Sequence, residues 1–482
     1  MPKIPLIQGS YLARGLIANA QSCINIFAEP NPKDAPFPMT HYPGSGTSVL
    51  SDFTGTFSGT VRGLYVASDG TVYAVIGQNV IRWLGAGNTN TSYYQLGNLP
   101  SNTGNPVVMC DNQLQLVIVD GSANGWTVNL PGQPGGLQQI SDPAFYGGNR
   151  VDFIDTFLIF NRPQSTQFYS TTSETVTPFN PLYFAAKEGW NDYLISIAAL
   201  HDNIWLLGAQ TTEIWFNSGA SDFPWQRMPN SVIQQGCVAA YSAIVADNSL
   251  YWLSQDRWGR NFMMRGQGYA ATRVSNFAVE NEWADYPAVS DCIGMAYQQA
   301  GHEIAGFLFP TANAWWGYDA TSGQWHKRAY GDTSTAWLPY CTAFWGTYEQ
   351  GAEMGTMLAG DRTAPRILQI ARSNYTDCGT PIIRQRSWPS VLNDEKRLAH
   401  TQFAASFDGS ALQPDTVNLA WSDDAGHTFG APVPQTVLNQ TNGQYSWRRL
   451  GYGRQRVYQL QWQGAGDCAL NGAWIEVQPQ AT

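Results

Sequence analysis

The chain has 482 residues, of which 13% are charged and 13% aromatic, and it contains 47 glycines. This composition argues against a largely helical protein and favours a turn-rich, all-β one. The formal net charge of −10 excludes a basic surface that wraps DNA. The length predicts either two to four domains or one large repeat domain with an appendage.

Seven cysteines lie far apart in the sequence and include no C-x-x-C pair. This usage predicts buried, reduced thiols, and a secreted chain with one unpaired thiol stays open as an alternative. The first residues, MPKIP, lack the apolar core of a signal peptide, and no apolar run approaches the ~20 residues of a membrane helix. We therefore expect no membrane span.

The first 55 residues are punctuated by prolines, which cannot serve in a central strand. These are Pro30, Pro32, Pro36, Pro38 and Pro43. We predict that residues 1–55 form an irregular, extended N-terminal arm.

From about residue 56, a unit of short apolar runs separated by turns recurs along the chain. An Asp followed by Gly, Asn or Thr suits such a turn, because its carboxylate accepts hydrogen bonds from the next backbone N–H groups. The turn aspartates are Asp69, Asp111, Asp155, Asp202 and Asp247, with spacings of 42, 44, 47 and 45 residues. A sixth unit is predicted at 293–328, and a weaker seventh at 340–348, 354–359 and 366–370.

A period near 45 residues with three or four short strands per unit is typical of a β-propeller. One such sheet cannot bury both its faces alone, whereas a closed ring of sheets can. We predict a propeller of seven blades, alternatively six, at residues 56–375. A pair of β-sandwiches is the competing architecture, although it would not require a fixed period. The period is lost near 376–390, which predicts a separate β-sandwich-like domain at 376–482.

The sharpest short motif is SDDAGHTF at residues 422–429, which fits the Asp-box of sialidase propellers. Its physical role is to form a hairpin turn, in which Asp424 binds backbone N–H groups and Gly426 takes a positive φ. It occurs once, outside the predicted propeller. A sialidase-like or glycan-binding propeller is therefore the alternative function.

Other signs of catalysis are weak. Glu280, Glu282 and Asp285 surround Trp283, but no second acid is placed opposite them, so we interpret them as a solvated acidic loop between blades. The six histidines form no H-x-H or H-x-x-x-H pair, and neither G-x-S-x-G nor a phosphate-binding loop occurs. We predict no catalytic residue, no cofactor site and no metal site, and hence no enzyme.

Two arginine clusters interleave with aromatic residues. The first contains Arg257, Arg260, Arg265 and Arg273, and the second contains Arg448, Arg449, Arg454 and Arg456. Arginine beside aromatic residues is common in both nucleic-acid sites and protein interfaces. Because the whole chain is acidic, we favour contact between subunits, with Arg448, Arg449, Arg454, Arg456, Arg257 and Arg260 as candidate interface residues.

Several patches, in matching order, resemble one family. These are WSDDAGHTF at 421–429, GQYSWRRLG at 443–451, RQRVYQL at 454–460, GAQTTEIWFNS at 208–218, QGCVA at 235–239, and the proline-rich lead-in at 25–43. They resemble the packaged DNA stabilization proteins, or tail-hub proteins, of short-tailed phages of the P22 type. The patches are spread over nearly the full length of the chain.

The resemblance implies a structural virion protein with no catalytic residues. Such proteins form a ring, typically of six copies, below the portal and its adaptor; they help to retain packaged DNA and support a tail needle and tail fibres or spikes. It therefore implies a homo-oligomer in the virion tail, assembled in the host cytoplasm, with DNA at most passing through a channel. A ring needs a head-to-tail interface between two different faces of each copy.

Overall fold

The structure is a computed structural model. It describes residues 3–6, 21–87, 92–100, 104–130, 136–172, 174–333, 336–339, 342–347, 355–391, 396–408, 414, 416–435 and 443–479. Parts of the predicted seventh unit, at 340–341, 348 and 354, lie outside the described residues.

The N-terminal stretch forms strands that pair with distant parts of the chain. The strands are β1 (Lys3–Pro5), β2 (Cys23–Ile24), β3 (Ile26–Pro30), β4 (Met39–Pro43) and β5 (Gly46–Asp52). The prediction of irregular backbone here is wrong. The prolines lie at the ends of β3 and β4 and in the turn between them, where they remove no hydrogen bond from a strand interior.

Five four-stranded antiparallel sheets follow in chain order. The first contains β6 (Val61–Val66), β7 (Val72–Ile76), β8 (Asn79–Trp83) and β9 (Tyr93–Asn98); the second β10 (Val108–Asp111), β11 (Gln115–Val119), β12 (Gly125–Asn129) and β13 (Gln138–Gln139); the third β14 (Val151–Ile154), β15 (Phe157–Asn161), β16 (Gln167–Ser170) and β17 (Phe184–Ala186). The fourth contains β18 (Leu194–Leu200), β19 (Asn203–Gly208), β20 (Thr212–Asn217) and β21 (Trp225–Arg227); the fifth β22 (Ile244–Ala246), β23 (Ser249–Gln255), β24 (Asn261–Gln267) and β25 (Ala270–Arg273). The second strand of the first sheet is buried along its whole length, because both faces of that sheet are covered.

A helix and two further sheets complete this series. They are α1 (Phe277–Ala284), then the sixth sheet of β26 (Ile293–Gln299), β27 (His302–Phe309), β28 (Ala314–Asp319) and β29 (Gln324–Thr333), with β30 (Ala336–Pro339) paired to β29, and the seventh sheet of β31 (Thr342–Thr347), β32 (Met357–Asp361) and β33 (Arg366–Ala371). The fourth strand of the seventh sheet is β5, which pairs antiparallel with β33 from Gly46 opposite Ala371 to Asp52 opposite Arg366. The N-terminal segment therefore supplies a strand to the last sheet of the series.

The C-terminal part forms two sheets around a shared core. Two short strands, β34 (Thr376–Asp377) and β35 (Thr380–Pro381), come first, and they extend the seventh sheet because β34 pairs with β5 and β35 pairs with β34. The strands of the two C-terminal sheets are β36 (Arg384–Ser387), β37 (Leu398–Phe407), β38 (Thr416–Ser422), β39 (Val433–Gln435), β40 (Gln444–Arg448), β41 (Tyr452–Gly453), β42 (Val457–Gln463) and β43 (Leu470–Pro479). One sheet runs β3–β4–β43–β37–β40, and the other continues the sixth sheet through β2 to β36, β42, β38 and β39. Phe403 and Ile475 of the first sheet share a buried core with Leu419 and Leu460 of the second.

The first strands of the seven sheets contact one another in a cycle. Contacts link β6 to β10, β10 to β14, β14 to β18, β22 to β26, β26 to β31 and β31 back to β6, while β18 contacts β23 of the fifth sheet. Near one end of β6, Tyr65 donates a hydrogen bond to Asp111 of the second sheet, with 3.0 Å between the two oxygens. The all-β prediction is confirmed; the number of blades and the domain limits stay predictions.

Candidate functional site

The turn at residues 256–260, between β23 and β24, holds Arg257 and Arg260 of the first arginine cluster. One oxygen of Asp256 accepts the backbone N–H groups of Trp258 and Arg260, each at 2.9 Å. These bonds fix the backbone of the turn, so its other side chains project outward. Trp258 is 86% exposed, and both arginines are exposed as well.

The arginines of the first cluster lie at two different positions on the fifth sheet. The Arg260 guanidinium lies 6.0 Å from the ring centre of Phe277, which is itself exposed. Arg273 lies 5.2 Å from the same ring and forms an ion pair with the buried Glu280. Arg265 is instead bound to Asp247, at 2.8 Å and at the other end of the fifth sheet. The structure thus brings Arg260 and Arg273 together at the Phe277 ring, with Arg257 exposed on the neighbouring turn and Arg265 elsewhere.

The second cluster contains three exposed arginines and one buried arginine. Arg448, Arg449 and Arg454 are exposed. Arg456 is buried, and its Nε and Nη2 donate to the two Asp423 oxygens at 2.7 and 2.8 Å. Burial alone would lower the pKa of Arg456, but the Asp423 carboxylate and Tyr458 together outweigh burial and raise the pKa above its ordinary value. Arg456 therefore holds the C-terminal sheets together, and the other three remain available for contacts.

The Asp-box forms the predicted hairpin turn. Asp424 accepts hydrogen bonds from the Thr428 backbone N–H at 2.8 Å and from the Ser422 and Thr428 hydroxyls, each at 2.5 Å. The hydroxyl bond from Ser422 is the first cause of a pKa well below the ordinary value for Asp424. Gly426 has a φ of +96°, as a turn of this kind requires. The motif therefore stabilises a hairpin turn.

The interpretation of a solvated acidic loop is wrong for Glu280 and Glu282, whereas Asp285 is exposed in the turn that follows the helix. Residues 277–284 form α1, whose N-cap Asn276 accepts the backbone N–H groups of Ala278 and Val279. Glu280 is 1% exposed and binds Arg273, while Glu282 binds Lys327 at 2.6 Å. These acids therefore attach the helix to the fifth and sixth sheets.

A loop at 187–193, between the third and fourth sheets, was missed by the sequence analysis. Beneath it, the Lys187 Nζ and the Asp192 Oδ1 form a buried ion pair at 2.5 Å. Lys187 also donates to the Thr211 carbonyl and hydroxyl, and the other Asp192 oxygen accepts the Gln210 and Thr211 N–H groups. Burial alone would raise the pKa of Asp192, but these donors lower it below its ordinary value.

The hairpin GAQTTEIWFNS supplies a second set of bonds to this loop. Buried Glu213 accepts the Gly189 N–H at 2.6 Å, the Glu188 N–H at 3.3 Å and the Trp215 indole N–H at 3.1 Å. The loop is therefore held from below while Trp190 and Tyr193 point outward, 54% and 63% exposed. The sequence signal was the Lys and Asp that flank Trp190 in KEGWND, followed by the polar residues of the hairpin.

A cavity of about 890 Å³ lies where the first strands of the first, second, third and seventh sheets meet. Its polar lining includes Asp111, Arg150 and Asp152. Asp152 accepts the Ala199 N–H at 2.8 Å, and Arg150 donates to the Ala243 carbonyl at 2.9 Å. Burial raises the pKa of Asp152 and lowers that of Arg150. These groups tie neighbouring inner strands together, and a lining of mixed charge favours no single class of ligand.

The described residues contain no group of three or more His, Cys, Asp or Glu side chains able to hold a metal ion. Over the same residues, no helix has the length and apolar character needed to cross a membrane. Six of the seven cysteines are described; all six are free thiols, and five of them are buried. The prediction of buried, reduced thiols is confirmed for these five, whereas Cys378 is partly exposed, and Cys341 lies outside the described residues.

No curated protein sequence matches the chain. Among solved structures, the chain is similar to the extracellular domain of a one-component system from B. thetaiotaomicron, with 10% identity, 83% of this chain and 48% of that chain covered, and a TM-score of 0.43. It is also similar to BamB from Moraxella catarrhalis, with 7% identity, 74% of this chain and 99% of that chain covered, and a TM-score of 0.40. The chain spans about half the length of the first of these proteins. At such scores neither likeness assigns a function.

The family model described as bacteriophage P22 Gp10, beta-propeller, matches residues 2–373. This range includes all seven sheets of the cycle and the strand β5 that completes the seventh. The predicted propeller and the resemblance to phage stabilization proteins are thereby confirmed. The chain belongs to the P22 Gp10 beta-propeller family of phage stabilization proteins.

Proposed function

We propose that the protein is a non-enzymatic tail-hub or head-completion component of a phage virion. It forms a homo-oligomeric ring, with six copies, below the portal and its adaptor. There it helps to retain packaged DNA and anchors a tail needle and tail fibres or spikes. The observation that carries this proposal is the family match over residues 2–373.

We propose a seven-bladed body at 56–375, an N-terminal arm at 1–55 whose strand β5 completes the seventh blade, and a β-sandwich-like domain at 376–482. The cycle of contacts through the first strands of seven sheets supports seven blades over six. The core that Phe403 and Ile475 share with Leu419 and Leu460 supports the sandwich. A rigid body of this kind offers several separate surfaces, which suits a protein that lies between several partners.

Two surfaces are proposed for contacts with other virion proteins. Trp190 and Tyr193 are large aromatic side chains on a loop that is held in place by buried hydrogen bonds. Aromatic side chains contribute much of the binding energy of many protein interfaces. A loop that is already fixed also loses little conformational entropy when it binds. In the C-terminal part, Arg448, Arg449 and Arg454 form the second surface.

Deletion of the gene from the phage that encodes it tests the proposal. We expect filled heads that lose their DNA and particles without complete tails, and we expect the purified chain to restore infectivity when it is added to them. Electron microscopy and plaque titre measure both effects. Complete, infectious particles made without the protein would contradict the proposal, and binding on a glycan array would then favour the glycan-binding alternative.

A further inference from the structure

The two ends of the blades differ in charge. In each sheet, successive turns alternate between its two ends, so the first and third turns lie at one end and the second turn at the other. A hydrogen bond between neighbouring sheets shows that their first and third turns lie on the same side of the protein. Asn112, in the first turn of the second sheet, donates to the Glu174 carbonyl in the third turn of the third sheet. We call the side of the protein that carries the first and third turns the acidic face.

Within the described parts of the first and third turns of sheets one to six, there is no lysine or arginine. These parts are 67–71, 84–87, 92, 112–114, 130, 136–137, 155–156, 171–172, 174–183, 201–202, 218–224, 247–248, 268–269, 300–301 and 320–323. The third and fourth sheets, which are neighbours, contribute four exposed carboxylates to this face. They are Asp155, Glu174, Asp202 and Asp222.

The exposed arginines of the fifth sheet lie at the opposite end of the blade. Asp247 and Asn248 join β22 to β23, whereas Arg257, Trp258 and Arg260 follow the other end of β23. The seven residues of β23 separate the two turns by roughly 20 Å at about 3.3 Å per residue. The carboxylate of Asp256 is bound to backbone N–H groups of its own turn, so the two guanidinium groups and the indole are the parts presented to a partner. We call residues 257–260 the arginine turn.

We propose that the arginine turn of one copy binds the acidic face of the next copy, at Asp155, Glu174, Asp202 and Asp222. The inference rests on the proposed ring and names its interface. The partner is a second copy because each copy carries both complementary surfaces, and a head-to-tail contact requires two different surfaces on each copy. Exposed Trp258 supplies the large apolar contact typical of an interface centre, and the charges on either side of it set the orientation of the two copies.

Two charge-reversed variants test this pairing. Arg257→Glu with Arg260→Glu makes the turn acidic. Reversal of all four carboxylates, by Asp155→Lys, Glu174→Lys, Asp202→Lys and Asp222→Lys together, makes the face basic. Either variant alone places like charges together, so we expect its self-association constant to fall by on the order of 100-fold. When the two variants are mixed, every contact in an alternating ring of even copy number again joins opposite charges, and association should return to within about threefold of the native value.

Analytical ultracentrifugation at low and high salt measures the association, and circular dichroism checks that each variant is folded. The native chain should associate less strongly as salt is raised. Trp258→Ala should weaken association by on the order of 30-fold. The exposed pair Lys396→Glu with Arg397→Glu changes the charge by the same amount elsewhere, and it should leave association unchanged.

The inference is overturned if the native chain stays monomeric at all concentrations tested, if either reversal leaves association intact, or if mixing the two variants does not restore it. Entry of the native chain into virions is scored separately by complementation of the gene deletion. If the chain enters virions but its self-association does not change when these charges are reversed, the proposed interface is rejected and the proposed virion role is kept. If the chain never enters virions, the proposed virion role itself is rejected.

Discussion

At the scale of single residues, Lys187 and Asp192 form an ion pair whose side chains are 0% and 4% exposed. Removing two charges from water is costly, and here several hydrogen bonds from residues 210 and 211 offset that cost. A buried ion pair adds little to the free energy of unfolding when it is compared with two apolar residues. Removal of one of its two members is strongly destabilising, because the other charge is left buried without a partner. The effect of the pair is to give the loop that carries Trp190 a single conformation.

We expect Asp192→Asn to lower the free energy of unfolding by about 3–5 kcal/mol, because it leaves the buried Lys187 ammonium without its counter-charge. Chemical denaturation at pH 7 measures the loss. Arg227→Gln is the control, since its ion pair with Glu188 lies at 3.7 Å between side chains that are 36% and 62% exposed. That substitution should change stability by no more than about 0.5 kcal/mol. Equal effects of the two would contradict this account of the loop.

Three buried histidines predict a loss of stability in mild acid. Burial lowers the pKa of His326 and of His400 to about 4, and that of His41 well below its ordinary value. An unfolded histidine takes up a proton near pH 6.5, so between that pH and about 4 the unfolded chain binds more protons than the folded one. Folding stability is therefore complete above about pH 6.5 and falls as the pH is lowered, by at most about 1.4 kcal/mol per pH unit for each histidine.

Denaturation curves between pH 7.5 and 4.5 test this dependence. His400→Gln should flatten the curve, since it removes one of the three groups and keeps a polar side chain opposite the Tyr458 hydroxyl. His427→Gln should leave the curve unchanged, because His427 is exposed. Stability that stays constant from pH 7 to 5 would refute the assignment of these histidines as neutral in the folded protein.

At the scale of elements, the hairpin GAQTTEIWFNS and the loop at 187–193 act as a unit. Glu213→Ala removes the acceptor for the Glu188 and Gly189 N–H groups. We expect amide hydrogen exchange in residues 187–193 to become at least ~10-fold faster, since each lost bond to a buried charged acceptor costs about 1.5–3 kcal/mol. Glu188→Gln, at a largely exposed side chain, is the matched control and should leave the exchange rate unchanged.

The sequence predicted the elements that depend on local signals. Aspartate turns at a period near 45 residues located the first five sheets, and the Asp-box located its hairpin. Long-range pairing carried no such signal: the register between β5 and β33 joins residues that are far apart in the chain. Helix α1 was also missed, although Asn276 is a good N-cap residue, because eight residues of helix are too few for a clear helical period.

The candidate surfaces were predicted unevenly for a related reason. Arg257 and Arg260 were found because arginines that alternate with aromatic residues are visible in the sequence. The sequence could not separate Arg456 from Arg454, since only the fold brings Asp423 against one of them. Trp190 and Tyr193 were missed because aromatic residues are more often buried. The hydrogen bonds that Glu213 and Thr211 make with their loop hold it so that these two side chains are exposed, and only the structure shows those bonds.

At the scale of the whole molecule, the burial of the cysteines predicts a simple labelling pattern. Cys23, Cys110, Cys237, Cys292 and Cys468 are buried, and burial raises the pKa of the Cys23 and Cys237 thiols to about 11. A thiol that is buried and protonated reacts slowly. In the folded protein we expect iodoacetamide to label Cys378 well before these five, as mass spectrometry of digested peptides would show. Rapid labelling of Cys237 or Cys292 in the native state would contradict the packing described for the blades.

The pairing of β5 with β33 has a consequence for how the protein is made. Thr47 leaves the ribosome 323 residues before its partner Ile370, and at roughly 5–20 residues per second the delay is on the order of 15–65 s. During synthesis the nascent chain therefore carries an unmatched strand that is able to pair with the wrong neighbour. Crowded translation of many copies in one infected cell makes such mispairing a hazard, so a chaperone that shields the first fifty residues should raise the yield of native protein.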